Sequence, residues 1–314
     1  MALLRDTPDD FRALVRATSR ELEMPEAFVE KDYWATELLR GVAAPIEGMH
    51  VVFKGGTSLS KVYGLTRRFS EDIDLLVVFE QENLGTGAKH GLLKQLDAKA
   101  SSALGVEGQA RDSSKGVHRT TVYPYRSYFS AVAGVLPEVK LEAGVRGGEE
   151  PHQENEIRSY LAQASVSQGA TDLEELPSFR MRVLTPERTL VEKLSLVHNL
   201  ASRYPGTAPL LARSGRHFYD IWALLRSAEV TAALMPEDTV SLAEDVLRQS
   251  SAGLDPSAIG RPPGGFATSP AFDSGAECFG AIRGAFKDIE ELLFEPLPDL
   301  EDVLAVVKAH AGLL

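Results

Sequence analysis

Asp72 and Asp74 are the residues whose type and spacing first suggest chemistry. They alternate with apolar residues in Ser70-Glu71-Asp72-Ile73-Asp74-Leu75, at the head of the β-branched and aromatic run Ile73 to Phe79, which predicts a strand. Alternation across a strand puts both aspartates on one face and turns Ile73 and Leu75 to the other. Carboxylates held side by side repel unless a cation lies between them, and hard oxygen donors suit Mg²⁺ or Mn²⁺. A pair of such ions, about 3.5 to 4 Å apart, activates an attacking hydroxyl and steadies a leaving pyrophosphate. Taken alone, an Asp-x-Asp is also what an ordinary strand end looks like.

A second feature narrows that choice. Lys54-Gly55-Gly56-Thr57-Ser58 follows the apolar run His50 to Phe53 and precedes a helix predicted over 57–66. Strand, glycine bend and helix start together make a place where backbone N–H groups hold a triphosphate. Gly55 and Gly56 allow close approach, and Thr57 and Ser58 each carry a hydroxyl that can be donated. Further along, Leu190, Leu194 and Val197 recur at helical spacing, and Lys193 falls on the same apolar face. Either its stem packs while the amine reaches water, or the amine projects toward phosphates.

The elements that must position these groups are legible in outline. Thr7-Pro8-Asp9-Asp10 predicts a capped helix start. Residues 25–40 predict an amphipathic helix with Phe28, Val29, Tyr33 and Leu38-Leu39 on its apolar stripe and Glu30, Lys31 and Glu37 largely off it. Residues 83–90 are glycine-rich and polar, 91–104 predict a helix, and Thr120–Tyr125, Tyr128–Val132 and Val139–Val145 predict strands. Gly147 to Pro151 breaks that pattern. Thr185-Pro186 caps the first of a series of helices, so a boundary is expected near 180, with residues 1–180 forming one lobe and 181–314 a helical one. Ser251 to Ser274, rich in Gly, Pro, Ser and Ala, predicts a loop or simple disorder.

Composition bounds the rest. With 314 residues, 44% apolar and 25% charged, the chain can bury a sizeable core. No apolar run reaches the length of a membrane helix, and the first residues turn acidic too soon for a signal peptide, so a soluble, cytoplasmic protein is expected. The lone Cys278 excludes an internal disulfide and a cysteine-rich zinc site. The histidines show no metal-ligand spacing, and His217 is expected to pack or lie at the surface rather than take part in catalysis. A formal charge of -12 argues against bulk adhesion to nucleic acid while leaving room for a local basic groove.

The glycine pair with Thr-Ser after a strand, followed by Asp72-Ile73-Asp74 on the next, resembles the nucleotidyltransferase superfamily of DNA polymerase β. The longer string, Phe53-Lys54-Gly55-Gly56-Thr57-Ser58-Leu59-Ser60-Lys61 through Arg68-Phe69-Ser70-Glu71-Asp72-Ile73-Asp74, is similar to the AbiEii/AbiGii toxins, which include the MenT type. The interval from Gly56 to Asp72 is slightly longer than the superfamily's usual one, though it falls in range when counted from Ser58. The Glu30-to-Trp34 string also resembles the family's N-terminal helix and is read as structural.

The resemblance implies an α+β, bilobed fold: a polymerase β-like lobe with a mixed sheet, then a mainly helical C-terminal lobe. It implies Glu142 as a third metal-binding acid, against the plain reading of a solvated strand glutamate. Glu192-Lys193-Leu194 and Arg216-His217-Phe218-Tyr219-Asp220 match a further family pattern. That match implies Lys193 as a triphosphate contact and Asp220 as the acid that orients it or another base, although Arg216 and Asp220 also fit a plain helical ion pair. The implied reaction moves a nucleotide from an NTP to the 3′ end of tRNA, blocking aminoacylation, with an antitoxin encoded nearby. Transfer to a protein hydroxyl or a small molecule, or a non-catalytic nucleotide-binding module, are the alternatives. Lys61, Arg67, Arg68 and Arg216, with Arg180, Arg182 and Arg213, are candidates to line an RNA groove, their plain reading being scattered solvated charge. Ser70, two residues before Asp72, is a candidate phosphorylation switch, its ordinary reading being a turn hydroxyl.

Overall fold

A computed structural model describes residues 3–70, 72–81, 83–130, 132, 135–168, 175–253 and 255–314, with nothing said of the side chains of 165–168 and 252–253. The fold is α+β, and the chain forms two compact units that do not divide it at a single point. One comprises Met1–Val62, Phe69–Val145 and His152–Val183; the other Tyr63–Arg68, Arg146–Pro151 and Leu184–Leu314.

The first unit opens with α1 (Pro8–Glu21) and α2 (Glu26–Ala43). There follow β1 (Met49–Lys54), α3 (Gly55–Lys61), β2 (Asp72–Phe79), α4 (Thr86–Leu104), β3 (Gln109–Ser114), β4 (His118–Pro124), β5 (Glu138–Gly144), β6 (His152–Ile157), α5 (Tyr160–Gln168) and β7 (Phe179–Leu184). The strands form a seven-stranded mixed sheet in the order β3-β4-β5-β2-β1-β7-β6. β2 lies antiparallel to β1 and parallel to β5, and β7 runs parallel to β1. The core is built from the inward positions of these strands, including Phe53, Ile73, Leu75, Leu141 and Val183, all at or near zero exposure.

Several expectations need correction. Thr7 precedes the Pro8 start but does not cap it, because its hydroxyl donates back to the Leu4 carbonyl at 3.0 Å. Glu30, Lys31 and Glu37 are buried rather than off the packed face. Each has a partner that offsets the burial: Glu30 accepts from the Ser127 hydroxyl and the Tyr128 N–H, Lys31 donates to the Leu136 carbonyl, and Glu37 pairs with Arg40. Asp32, in the same string, accepts from Lys61 and from the Tyr160 N–H, so α2 is a polar brace as well as an apolar one. α3 starts two residues earlier than expected and ends at Lys61, and α4 takes in Thr86 to His90. Residues 128–130 and 132 form no strand, and Ala131 of that segment lies outside the described residues.

β3, β6 and α5 were not anticipated. Every residue of β3 is exposed, so it carries none of the apolar alternation that marks a half-buried strand. β7 was not anticipated either, although it carries that signal: Met181 and Val183 are buried and alternate with the more exposed Arg180 and Arg182.

The second unit is helical: α6 (Pro186–Ser202), α7 (Ala208–Leu211), α8 (Gly215–Arg226), α9 (Ala228–Ala233), α10 (Pro236–Gly253), α11 (Phe279–Lys287) and α12 (Leu300–Ala309). Thr185 caps α6 as its sequence predicts, its hydroxyl accepting from the Arg188 N–H, with Pro186 at the first helical position. The chain after α10 is irregular but packed. Asn199 exchanges two hydrogen bonds with the Ile259 backbone, and Phe266 and Ala271 are fully buried, which rules out simple disorder for the described part; Leu254 lies outside it. Cys278 is a buried free thiol. Among the described residues no helix is long and apolar enough to cross a membrane.

Candidate active site

The acid face of the sheet is set by strand register. Asp72 and Asp74 are half-buried while Ile73 and Leu75, between and after them, are at 1% exposure. β5 runs beside β2 with Lys140 opposite Asp72 and Glu142 opposite Asp74, and its own inward residues are Val139, Leu141 and Ala143. Directly paired residues share a face. Asp72, Asp74, Lys140 and Glu142 therefore project together, and Lys54, paired with Asp74 from β1, joins their row.

The glycine bend sits against this face. Gly55 has φ +82°, and a Cβ placed on it would lie 2.2 Å from Asp74 Oδ2. Both the left-handed backbone and the close approach demand glycine. The bend is also tied to the acid strand by Thr57, whose hydroxyl donates to the Asp72 carbonyl at 2.5 Å. Ser58 is fully buried and donates to the Gly55 carbonyl at 2.9 Å. A hydroxyl has one proton to give, so either side chain would release its hold on the turn on donating to a phosphate. Thr57 and Ser58 thus brace the turn, and Gly55 is the residue that packs on the acids.

Lys140 was missed by sequence reasoning. Its ammonium lies 2.5 Å from Glu142 Oε1 and 3.4 Å from Asp72 Oδ1. Burial works against its charge, but the hydrogen bond to Glu142 and the two carboxylate charges outweigh it and hold its pKa above the ordinary lysine value. Among the described residues no three His, Cys, Asp or Glu converge closely enough to hold one ion. Two of the acids are engaged with this lysine instead. The donor set nonetheless suits a hard divalent cation: three carboxylates share one partly exposed face, and a positive group already sits between two of them.

The helical unit holds a second cluster. Asp220 on α8 is completely buried, and Arg68 grips it with both arms, Nε to Oδ1 at 2.6 Å and Nη2 to Oδ2 at 2.8 Å. Lys193, from α6, reaches the same Oδ2 at 2.7 Å. Burial pushes the Asp220 carboxyl up, but the Arg68 and Lys193 charges outweigh that and hold it well below the usual carboxylate range. Its oxygens go to Arg68 and Lys193 rather than to Arg216, so the helical ion pair suggested by the spacing is not what Asp220 makes. His217, a turn earlier, is pushed down to about 3 by burial and by the Lys193 charge, and its Nδ1 is buried without a partner.

Two of the expected RNA contacts are corrected by burial. Lys61 is turned inward, 2.5 Å from Asp32, and Arg68 is committed to Asp220. Arg67 and Arg213 are exposed and Arg216 is half-buried, while Arg180 and Arg182 lie along β7 and engage Glu154. Ser70 is half-buried just ahead of β2. The segment carrying Arg67 and Arg68 is held within the helical unit: the Arg67 N–H donates to the Tyr219 hydroxyl, and the Phe294 N–H donates to the Arg67 carbonyl at 2.8 Å.

Comparison with known proteins bears on the fold and the family. Among solved structures the fold is similar to MenT4, a nucleotidyltransferase toxin from Mycobacterium tuberculosis H37Rv. The TM-score is 0.60 at 18% identity, over 96% of this chain and 89% of that one. No curated protein matches the sequence. The family model described as nucleotidyl transferase AbiEii toxin, type IV TA system, matches residues 37–306. A match of that extent, spanning both the acid face and the buried Asp220 cluster, shows that the chain belongs to the AbiEii family of nucleotidyltransferase toxins of type IV toxin–antitoxin systems.

Proposed function

We propose that this toxin transfers a nucleotide from an NTP to the 3′ end of tRNA, blocking aminoacylation and translation in the cytoplasm until an antitoxin encoded nearby restrains it. The observation that carries the reading is the in-register row of Asp74 and Glu142 beside Asp72, with Gly55 packed on the Asp74 carboxylate.

Asp72, Asp74 and Glu142 would hold Mg²⁺ or Mn²⁺, which when bound supplies charge stabilisation to the reacting phosphate and its leaving group. The chain's own residues do the rest. The Gly55-Gly56 backbone, free of side chains, lets the phosphates come close to the acids. Thr57 fixes the bend to β2 and so sets its distance from Asp72. Lys193, held by Asp220, is proposed to bind the triphosphate; Asp220 acts through Lys193 and Arg68 as a positioning residue. Ser70 is retained as a proposed regulatory position, where a phosphate would add about -1.5 to -2 charge beside the acids.

tRNA is favoured as acceptor by the family's character as a toxin, and Arg67 and Arg216 are the basic residues proposed to meet it. The test is incubation of the chain with each labelled NTP, Mg²⁺ and total RNA or total protein. Label on the 3′ end of tRNA, lost in Asp72→Ala, is the expected result. Label on protein or a small molecule would replace the acceptor, and transfer undiminished in Asp72→Ala would overturn the site.

A further inference from the structure

The ion pairs of Lys140 assign it a role that the acids alone do not explain. We propose that Lys140 is a built-in counter-ion of the acid face, which holds Asp72 and Glu142 while no divalent cation is bound and must leave them when one binds. This rests on the reading of Asp72, Asp74 and Glu142 as the metal-binding acids.

Adjacent strands are only about 4.8 Å apart, so three carboxylates on neighbouring strands of one face repel one another. A strand position opposite Asp72 and two residues before Glu142 is where one cation can serve two of them, and Lys140 occupies it. Its ammonium contacts both, at 3.4 and 2.5 Å. A divalent ion drawing on the same oxygens would bring its charge against that ammonium, and both cannot hold Asp72 at full strength.

The residue type suits displacement. Lysine is a point charge on a flexible four-carbon stem, and the side chain is 35% exposed, so the ammonium has water to move into. Arg68 shows the contrasting construction, a planar bidentate grip with 3% exposure on a fully buried partner. Because linkage is reciprocal, the ammonium weakens metal binding by the factor with which metal weakens the ammonium's hold. Lys140 thus sets a threshold of divalent cation below which the acids stay closed to it.

The test is Mn²⁺ binding to the full-length chain, read by calorimetry or by the free-ion electron paramagnetic resonance signal, for the unmodified protein and for Lys140→Met, Lys140→Arg and Asp72→Asn. Lys140→Met should bind Mn²⁺ roughly 3- to 10-fold more tightly, as expected for removing a partly screened pair of ion contacts. Lys140→Arg, which keeps the charge and adds a planar fork, should bind Mn²⁺ no more tightly than the unmodified chain. Equal or weaker binding by Lys140→Met overturns the proposal. Asp72→Asn separates the two levels: if it binds Mn²⁺ as well as the unmodified chain, the metal-site reading itself fails. Should Lys140→Met not fold, amine labelling of Lys140 in the unmodified chain decides. Saturating Mn²⁺ should raise its reactivity, and unchanged or lower reactivity with Mn²⁺ demonstrably bound overturns the proposal.

Discussion

The sheet unit and the helical unit each pair aspartate with lysine, and they do so in opposite proportions. On the sheet, Asp72, Asp74 and Glu142 share a partly exposed face with Lys140 and Lys54, the carboxylates in the majority. In the helices, a single fully buried Asp220 is shared by Arg68 and Lys193. Excess carboxylate near water leaves a demand for positive charge that an ion from solution can meet. One buried carboxylate between two cations is already over-satisfied, so what remains beyond it is positive charge held in place. The same residue types thus yield an acidic cation site in one unit and a rigid basic one in the other, and burial decides which.

The sharpest way to break this comparison is at the acids and their glycine. Asp72→Ala or Asp74→Ala should lower nucleotide transfer on the order of 10² to 10³-fold or more, while the unfolding midpoint stays close to that of the unmodified chain. Gly55→Ala should lose activity similarly, since its Cβ has no room beside Asp74 Oδ2 and its φ is +82°; retained transfer in labelled-NTP assays would mean the bend does not serve the acids. Asp220→Ala should behave in the other manner. Stranding Arg68 and Lys193 in a buried site should cost about 3 to 5 kcal/mol of stability, measured by urea unfolding, and a loss under 1 kcal/mol would show that Asp220 is not the keystone its burial suggests.

A smaller effect concerns pH. His217 has its pKa lowered from 6.5 to about 3, so between those values the unfolded chain takes up a proton that the folded one refuses. Stability should therefore fall as pH drops below 6.5. His217→Gln should flatten part of that slope in unfolding curves recorded from pH 7 to pH 4, and an unchanged slope would show that the ring is not held neutral. The smallest effect is expected at Arg67, exposed and single. Arg67→Glu should weaken tRNA binding only a few-fold at low salt and less at high salt, and filter binding at two ionic strengths would detect it.

The comparison also separates what was legible in the sequence from what was not. The strand carrying Asp72 and Asp74, the glycine bend before it and the cap at Thr185 all show in short windows, because local alternation, φ > 0 and capping are properties of a few consecutive residues. The polar strands β3 and β6 do not, since neither has an apolar face for a pattern to record. Charge on its own misled at Lys61 and Arg68. Both looked like surface bases, and both are spent on carboxylates distant in sequence, Asp32 and Asp220.

What the sequence by itself determined is therefore the local geometry of the chemistry: two aspartates on one strand face and a glycine bend whose Gly55 nothing larger could replace. Only the tertiary structure decided the company they keep. The register of β2 on β5 is set by sheet packing over a long sequence separation, and it alone puts Lys140 opposite Asp72 and Glu142 opposite Asp74. Burial, likewise a property of the folded whole, turned Asp220 from one end of a helical i, i+4 pair into the anchor of Arg68 and Lys193, because a carboxylate removed from water is stable only where cations from elsewhere in the chain converge on it.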